Sequence, residues 1–286
     1  MDREIRTICY DETLRIEAYR LEGVVQAFPN HFHEHYVFGL LERGARSMTC
    51  QNRDYTLRSG DVVLFHPGDS HACAQLGIED LDYRGLNLPA EVVLELAEEK
   101  AGEHILPCFS SPVVQDDGIA GCFRALHQAV MDGGAAFERE EMLLLLVTLL
   151  TDRCSKLHEP RLSAGSAELE RACVFMRRHY SEHISLAQIC RYAGLSKSAL
   201  LRAFTKYRGI TPYRYLQTLR INKAKKLLEQ GLTPVQAALQ TGFSDQSHFT
   251  NFFSMFIGVA PGVYRSIFWD KETPRTEREK GSGDEA

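Results

Sequence analysis

No C-x-x-C pair occurs among the eight cysteines, which stand at 9, 50, 73, 108, 122, 154, 173 and 190. Neither a structural zinc ribbon nor a dithiol redox motif is expected, and the scatter fits reduced, mostly buried thiols. Long apolar runs are missing too: the strongest, residues 142 to 150, falls far short of the ~20 residues a bilayer-spanning helix needs. The opening MDREIRTICYDE has no apolar signal region and no small-residue cleavage site. A cytoplasmic protein without a membrane partner is expected. An excess of positive charge is also lacking, since the formal net charge is −5, which taken alone argues against a nucleic-acid partner.

The charge is segregated, however. Residues 1–160 hold 14 basic against 27 acidic side chains, residues 161–270 hold 15 against 6, and residues 271–286 hold 4 against 5. An acidic half joined to a basic half suggests a sensing or assembly domain attached to a polyanion-binding one. The 286 residues, 44% of them hydrophobic, allow each half its own core.

The first ninety residues are short branched and aromatic runs broken by Gly, Asn, Asp and Pro, the spacing of an all-β barrel or sandwich. After Pro89 the pattern turns helical, in AEVVLELAEEKAG, DGIAGCFRALHQAVMDGG and FEREEMLLLLVTLLTDRCSKL. The last is apolar almost all round, so it is expected to be covered by the barrel on one side and by the partner chain of a homodimer on the other. KLHEPRLSAGSAE mixes Pro, Gly, Ser and charge without periodicity and reads as a linker. The expected division is a sensor and dimerisation domain over 1–158, a linker over 159–167, a helical domain over 168–268 and an unstructured polar tail over 269–286.

Within the helical half one local design is used twice. GLSKSALLRAFTKYRGITP at 194–212 and GFSDQSHFTNFFSMFIGVAP at 242–261 share Gly, a Ser or Ser–Asp cap, an inward Phe, a second Gly and a Pro. Ser185 caps a first helix, Gly194 supplies a left-handed turn and Ser196 caps a second; Thr233, Gly242 and Ser244–Asp245 repeat the plan. This is a pair of helix-turn-helix modules. Leu200 and Phe204, and Phe249 and Phe253, lie inward, which leaves Lys197, Ser198, Leu201, Arg202 and Lys206 of the first module for DNA. In the second, Gln246, Ser247, His248, Thr250 and Asn251 take that place.

Between the modules, TPYRYLQTLRINKAKKLLEQ forms a connecting helix of roughly 18 residues, rising about 27 Å. That length suits two recognition helices placed in successive major grooves of double-stranded DNA, ~34 Å apart. Arg220, Lys223, Lys225 and Lys226 on the connector, with Arg208 and Arg214 before them, are expected to neutralise phosphates.

Residues 184–265 resemble the DNA-binding domain of the AraC/XylS family of bacterial transcription regulators. The run G-F-S-D-x-S-x-F, with the later F, G-x-x-P and Y-R, stands at 242–265, and S-K-S-x-L-x-R-x-F at 196–204. The resemblance implies DNA contacts from Ser198, Leu201, Arg202, Ser247, Thr250 and Asn251, a small-molecule effector, an RNA polymerase partner, and activation more often than repression. Arg202 is the expected base reader, because a guanidinium can pair with both acceptors of a guanine. Ser254, Met255 and Asn251 stand where the family usually carries basic residues, which implies a weaker second module.

The acidic half resembles a cupin-like sensor barrel through NHFHEHYVFGLLERG and GDVVLFHPGDSH. The strand period puts His31, His33 and His35 on one face, and the turn at Pro67–Gly68 can return His71 toward it. Where the cupin pattern asks for a carboxylate, this chain has Val37. The candidate effector residues are His31, His33, His71, Tyr83 and Arg84; His31, His33 and His71 are also the metal candidates. A small organic effector, a divalent metal and no ligand all remain open, and no cofactor is firmly implied. The fold class is thus α+β: a cupin-like β-barrel followed by helices, then an all-α domain of two helix-turn-helix modules joined by a linker helix. The competing reading is a metal-dependent cupin enzyme with a helical appendage.

Overall fold

A computed structural model describes residues 4–101, 105–155, 167–269 and 275–278. The expected linker at 159–167 lies outside the described residues, apart from Ala167 at the start of a helix. Two antiparallel sheets form the N-terminal barrel. The larger contains β1 (Ile5–Asp11), β2 (Ile16–Val24), β4 (Tyr36–Arg43), β7 (Val62–Phe65), β9 (Leu81–Leu88), β10 (Val113–Val114) and β11 (Arg275–Arg278), in the order β10-β7-β4-β9-β2-β1-β11. The smaller, β3 (Phe28–His31), β5 (Arg46–Cys50), β6 (Arg53–Leu57) and β8 (His71–Gln75), runs β3-β8-β5-β6. Gln51 and Asn52, at φ 50° and 62°, make the tight hairpin from β5 to β6. Part of the expected unstructured tail is therefore an edge strand, with Ile5 opposite Arg278.

Alternation divides the larger sheet into two buried faces. Phe38, Leu40, Val62, Leu64 and Leu86 pack outward against α1 (Ala90–Ala101), α2 (Asp117–Met131) and α3 (Ala136–Cys154), while Val37, Leu41, Val63 and Phe65 point into the barrel. Gly39 and Gly85 face each other across β4 and β9. A Cβ at Gly39 would fall 1.6 Å from the Tyr83 hydroxyl, and one at Gly85 2.0 Å from the Tyr19 ring. The missing side chains make room for two tyrosines inside the barrel.

The helical half is built as its caps dictate. After α4 (Ala167–Arg178), Ser185 and Gln188 form a capping box on α5 (Leu186–Ala193), Gly194 turns the chain at φ 74°, and Ser196 caps α6 (Lys197–Arg208). Thr211 and Pro212 start α7 (Pro212–Glu229). Thr233 and Gln236 then box α8 (Pro234–Gln240), and Asp245 caps α9 (Gln246–Ile257), followed by α10 (Pro261–Trp269). Two cores flank α7: Leu169, Met176, Ile189, Leu200 and Phe204 with Leu219 on one side, and Phe249, Phe253 and Tyr264 with Ile221 and Leu228 on the other. The barrel adds a residue to each, Phe32 to the first and Ile8 to the second. Both halves thus share their cores across the domain boundary.

The paired glycines give a direct test. Gly39→Ala should cost about 1–3 kcal/mol by forcing the Tyr83 ring to move within a filled barrel. A urea midpoint unchanged from the parent would show that the ring shifts freely and that the glycine is not required.

Candidate DNA-reading surface and effector cavity

The two second helices of the modules, α6 and α9, present the residues expected to read DNA. Lys197, Ser198, Leu201, Arg202 and Lys206 are exposed on α6; Gln246, Ser247 and Asn251 are exposed on α9. Thr250 is half-buried, as is His248, whose ring packs edge-on against Phe252 at 4.7 Å. The barrel holds the far ends of both helices. Asn52 Nδ2 donates to the carbonyls of Thr205 and Lys206 at 3.0 and 3.1 Å, and Asn30 Nδ2 to that of Gly209 at 2.5 Å. Arg6 donates to the carbonyl of Gly258, the C-cap of α9. These donors satisfy carbonyls that a helix end leaves unpaired, and the Arg6 cation complements the negative pole. The N-terminal ends, which carry the readers, are left outward.

The connector's cations do not behave as the sequence suggests. Twelve of the eighteen residues of α7 are buried. Lys225 is buried and pairs with Glu17 of β2 at 2.8 Å. Arg220 is also buried and donates to the carbonyls of Tyr180 and Glu182 at 2.7 and 2.9 Å. Lys223 and Lys226 lie 3.9 and 3.4 Å from Glu34, Arg208 pairs with Glu170 at 3.1 Å, and Arg214 sits over the rings of Phe252 and Phe256. The expected phosphate contacts from Arg220 and Lys225 are therefore corrected: these cations hold the protein together. Around Lys225, Glu17 also accepts from Asn87 Nδ2 at 2.9 Å and from Tyr264, whose hydroxyl lies 2.7 Å from Glu229. Burial opposes ionisation of Glu17, but Lys225 prevails and holds its pKa below the usual carboxylate value; burial and Glu17 push that of Glu229 up.

Inside the barrel lies a cavity of about 110 Å³. Its walls are apolar, from Val37, Leu41, Met48, Val63 and Phe65 among others, and Lys225, Phe256 and Ile257 of the helical half complete the lining. His31, His33, His71 and Tyr83 line it as expected. Arg84 does not. It follows Tyr83 on β9 and so points to the opposite face, where it meets Glu42 at 2.8 Å, His127 at 3.2 Å and Gln128 at 3.0 Å. Arg46, which the sequence reading passed over, lines the cavity instead and is 1% exposed.

The three histidines form one cluster, with a nitrogen of each within 4.8 Å of the others. The Nδ1 atoms of His31 and His71 donate to the carbonyls of Pro29 and Asp69, at 2.6 and 3.0 Å, which turns each Nε2 into an acceptor. His31 Nε2 lies 3.1 Å from His33 Nε2. Burial holds all three rings neutral: His31 and His33 fall well below the ordinary value, and His71 is lowered to about 4. Neutral imidazoles with anchored far nitrogens are a donor set that fits a first-row divalent ion, with Val37 offering nothing at the fourth place. His35 turns away into a second pocket beside Glu17, Asn222 and Lys225, and burial there lowers it to about 3.

Residues 189–267 match the family model of a helix-turn-helix domain, and residues 14–149 that of an AraC-like ligand binding domain. The chain is 42% identical to the HTH-type transcriptional regulator YbfI of Bacillus subtilis, over 87% of this chain and 90% of that protein. It is 26% identical to the HTH-type transcriptional activator RhaS of Salmonella schwarzengrund, over 82% and 86% of the two chains. A crystal structure of an apo ToxT variant from Vibrio cholerae superposes with a TM-score of 0.57, covering 91% of this chain and 99% of that one at 15% identity. At that identity the likeness is one of fold.

The buried rings set a pH dependence. Unfolded histidines take up protons below about pH 6.5, whereas His71 and His35 in the fold stay neutral until about 4 and about 3. Their folded values are depressed, so the stability they contribute is complete above pH 6.5 and drains away as the pH falls toward 4. Urea unfolding between pH 6 and 5 should lose stability at a slope approaching roughly 1.4 kcal/mol per pH unit for each such ring, and His35→Gln should remove one ring's share. A flat profile over that range would refute the neutral assignment.

Proposed function

We propose how this chain, which belongs to the AraC family of transcriptional regulators, is controlled: a small molecule in the barrel cavity sets how the helical domain is held against the barrel. That domain then presents α6 and α9 to two successive major grooves of double-stranded DNA. The observation that carries this reading is the shared cavity lining. Lys225, Phe256 and Ile257 belong to the helical half, and the same Lys225 is tied to Glu17 of the barrel. A ligand there touches both domains at once, so its affinity depends on their arrangement and, by linkage, it biases that arrangement.

The remaining parts follow the same reading. The chain acts in the cytoplasm, as a homodimer through the outer face of α3, where Phe137 and Leu145 stay exposed beside the buried Leu143, Leu146 and Leu150. It activates transcription, as the transcriptional activator RhaS does, through contact with RNA polymerase. The competing reading, a metal-dependent cupin enzyme, leaves the paired capped helices and their exposed readers without a purpose.

Two variants separate reading from holding. Arg202→Ala should relax preference at one base position, by ~1–3 kcal/mol in selection from a randomised operator pool; intact discrimination would remove Arg202 as a base reader. Lys225→Met should leave the salt dependence of DNA affinity unchanged while lowering stability by roughly 3–5 kcal/mol, because Glu17 stays buried without its partner. Adding Glu17→Gln should restore part of that loss. A shallower salt slope for Lys225→Met would return this lysine to the phosphate backbone.

A further inference from the structure

Arg46 is the first residue of β5, and alternation sends it into the barrel with Met48 and Cys50 while Ser47 and Thr49 face outward. It is 1% exposed. Its Nη2 donates to the carbonyl of Val24, but Nε and Nη1 have no hydrogen-bond partner. A guanidinium stays charged in a protein, and a buried, unpaired charge is among the most costly arrangements a fold can hold. Among the described residues no carboxylate pairs with it. Asp80 acts on Arg46 only from a distance.

The other charges of the cavity are already matched. Lys225 is neutralised by Glu17 at 2.8 Å, and the Nδ1 atoms of His31 and His71 are held by the carbonyls of Pro29 and Asp69. One uncompensated positive charge therefore remains, on a guanidinium with free donors, against walls of Leu, Val, Met and Phe. A monoanion that can accept from such donors is a carboxylate, and Arg is the side chain suited to it. A dianion would itself be left half unmatched. The apolar remainder has to be small, since a cavity of ~150 Å³ is what accommodates benzene and this one measures about 110 Å³.

We propose that Arg46 is the anchor for the carboxylate of a small monocarboxylic acid whose short alkyl chain fills the apolar part of the barrel cavity. This rests on the reading of the cavity as the effector site and adds the chemical class of the effector. An unpaired cation destabilises the empty protein, so a ligand anion acts partly by removing a penalty that the fold already carries.

The test uses the full-length protein with propionate, butyrate and isobutyrate, each paired with its neutral amide, in calorimetric titrations and thermal melts. The acids should bind and raise Tm, and the matched amides should bind at least tenfold more weakly. Arg46→Met should lose roughly ten- to hundredfold in acid affinity and no longer prefer acid over amide. Its ligand-free Tm should equal or exceed that of the parent, which a purely structural arginine would not allow. Arg46→Lys retains the charge and should keep part of the acid preference, so it decides the matter even where Arg46→Met does not fold. Equal binding of acids and amides, or acid preference surviving in Arg46→Met, would overturn the anchor while leaving the cavity as the effector site. Binding of neither acids nor amides would overturn both.

Discussion

The pairing of Lys225 with Glu17 is the constraint on which the arrangement of this molecule depends. Lys225 stands on α7, the helix that both helix-turn-helix cores are built against, and Glu17 stands on β2 of the barrel. Apolar contacts such as those of Phe32 and Ile8 supply area, but a greasy surface tolerates sliding. A buried ion pair does not: displaced by an ångström or two, both charges lose their partner while still out of water. Asn87 and Tyr264 occupy two further acceptor positions of the Glu17 carboxylate, one from each domain. The junction is thus fixed in register as well as in distance.

With α7 fixed, the spacing of the two recognition helices follows. They diverge from the connector, and their C-terminal ends meet donors from the barrel, Asn52 and Asn30 for α6 and Arg6 for α9. Each domain contributes what the other lacks. The helical half offers carbonyls that its own geometry leaves open, and the barrel offers amide and guanidinium donors on its loops and edge. A change in the barrel's seat against α7 therefore acts on the ends of both helices at once.

Much of this was legible in the sequence, for local reasons. Ser185 with Gln188, Thr233 with Gln236, Gly194 and Gly209 act within one turn of chain, so their roles can be read without knowing the fold. The period of two equally marked the strands. What escaped were partners distant in sequence. A lysine at 225 looks the same whether it faces a phosphate or Glu17, 208 residues away, and regional charge balance favoured the wrong answer. Arg84 is a different case, because adjacent strand residues face opposite sides; Tyr83 and Arg84 could not both line one cavity, and the alternation already excluded one of them. Arg46 escaped because a charged residue in a short strand is ordinarily a surface one.

The direction of control follows from the composition of the cavity wall. Phe256 and Ile257 touch a bound molecule only while the helical domain is seated, and the Lys225 stem joins the cavity wall there while its ammonium is paired with Glu17. A ligand occupying the cavity gains these contacts in the seated arrangement and forfeits them in any other, so its differential affinity favours seating. Moving a two-state balance from 1:99 to 99:1 takes about 5.5 kcal/mol of such difference. Two apolar side chains and the lysine stem supply part of it. The rest has to come from how well the barrel holds its own shape around the ligand, and there the uncompensated Arg46 matters most: an occupied barrel no longer carries a bare charge, so the surface against which α7 and α9 are seated becomes the relaxed one.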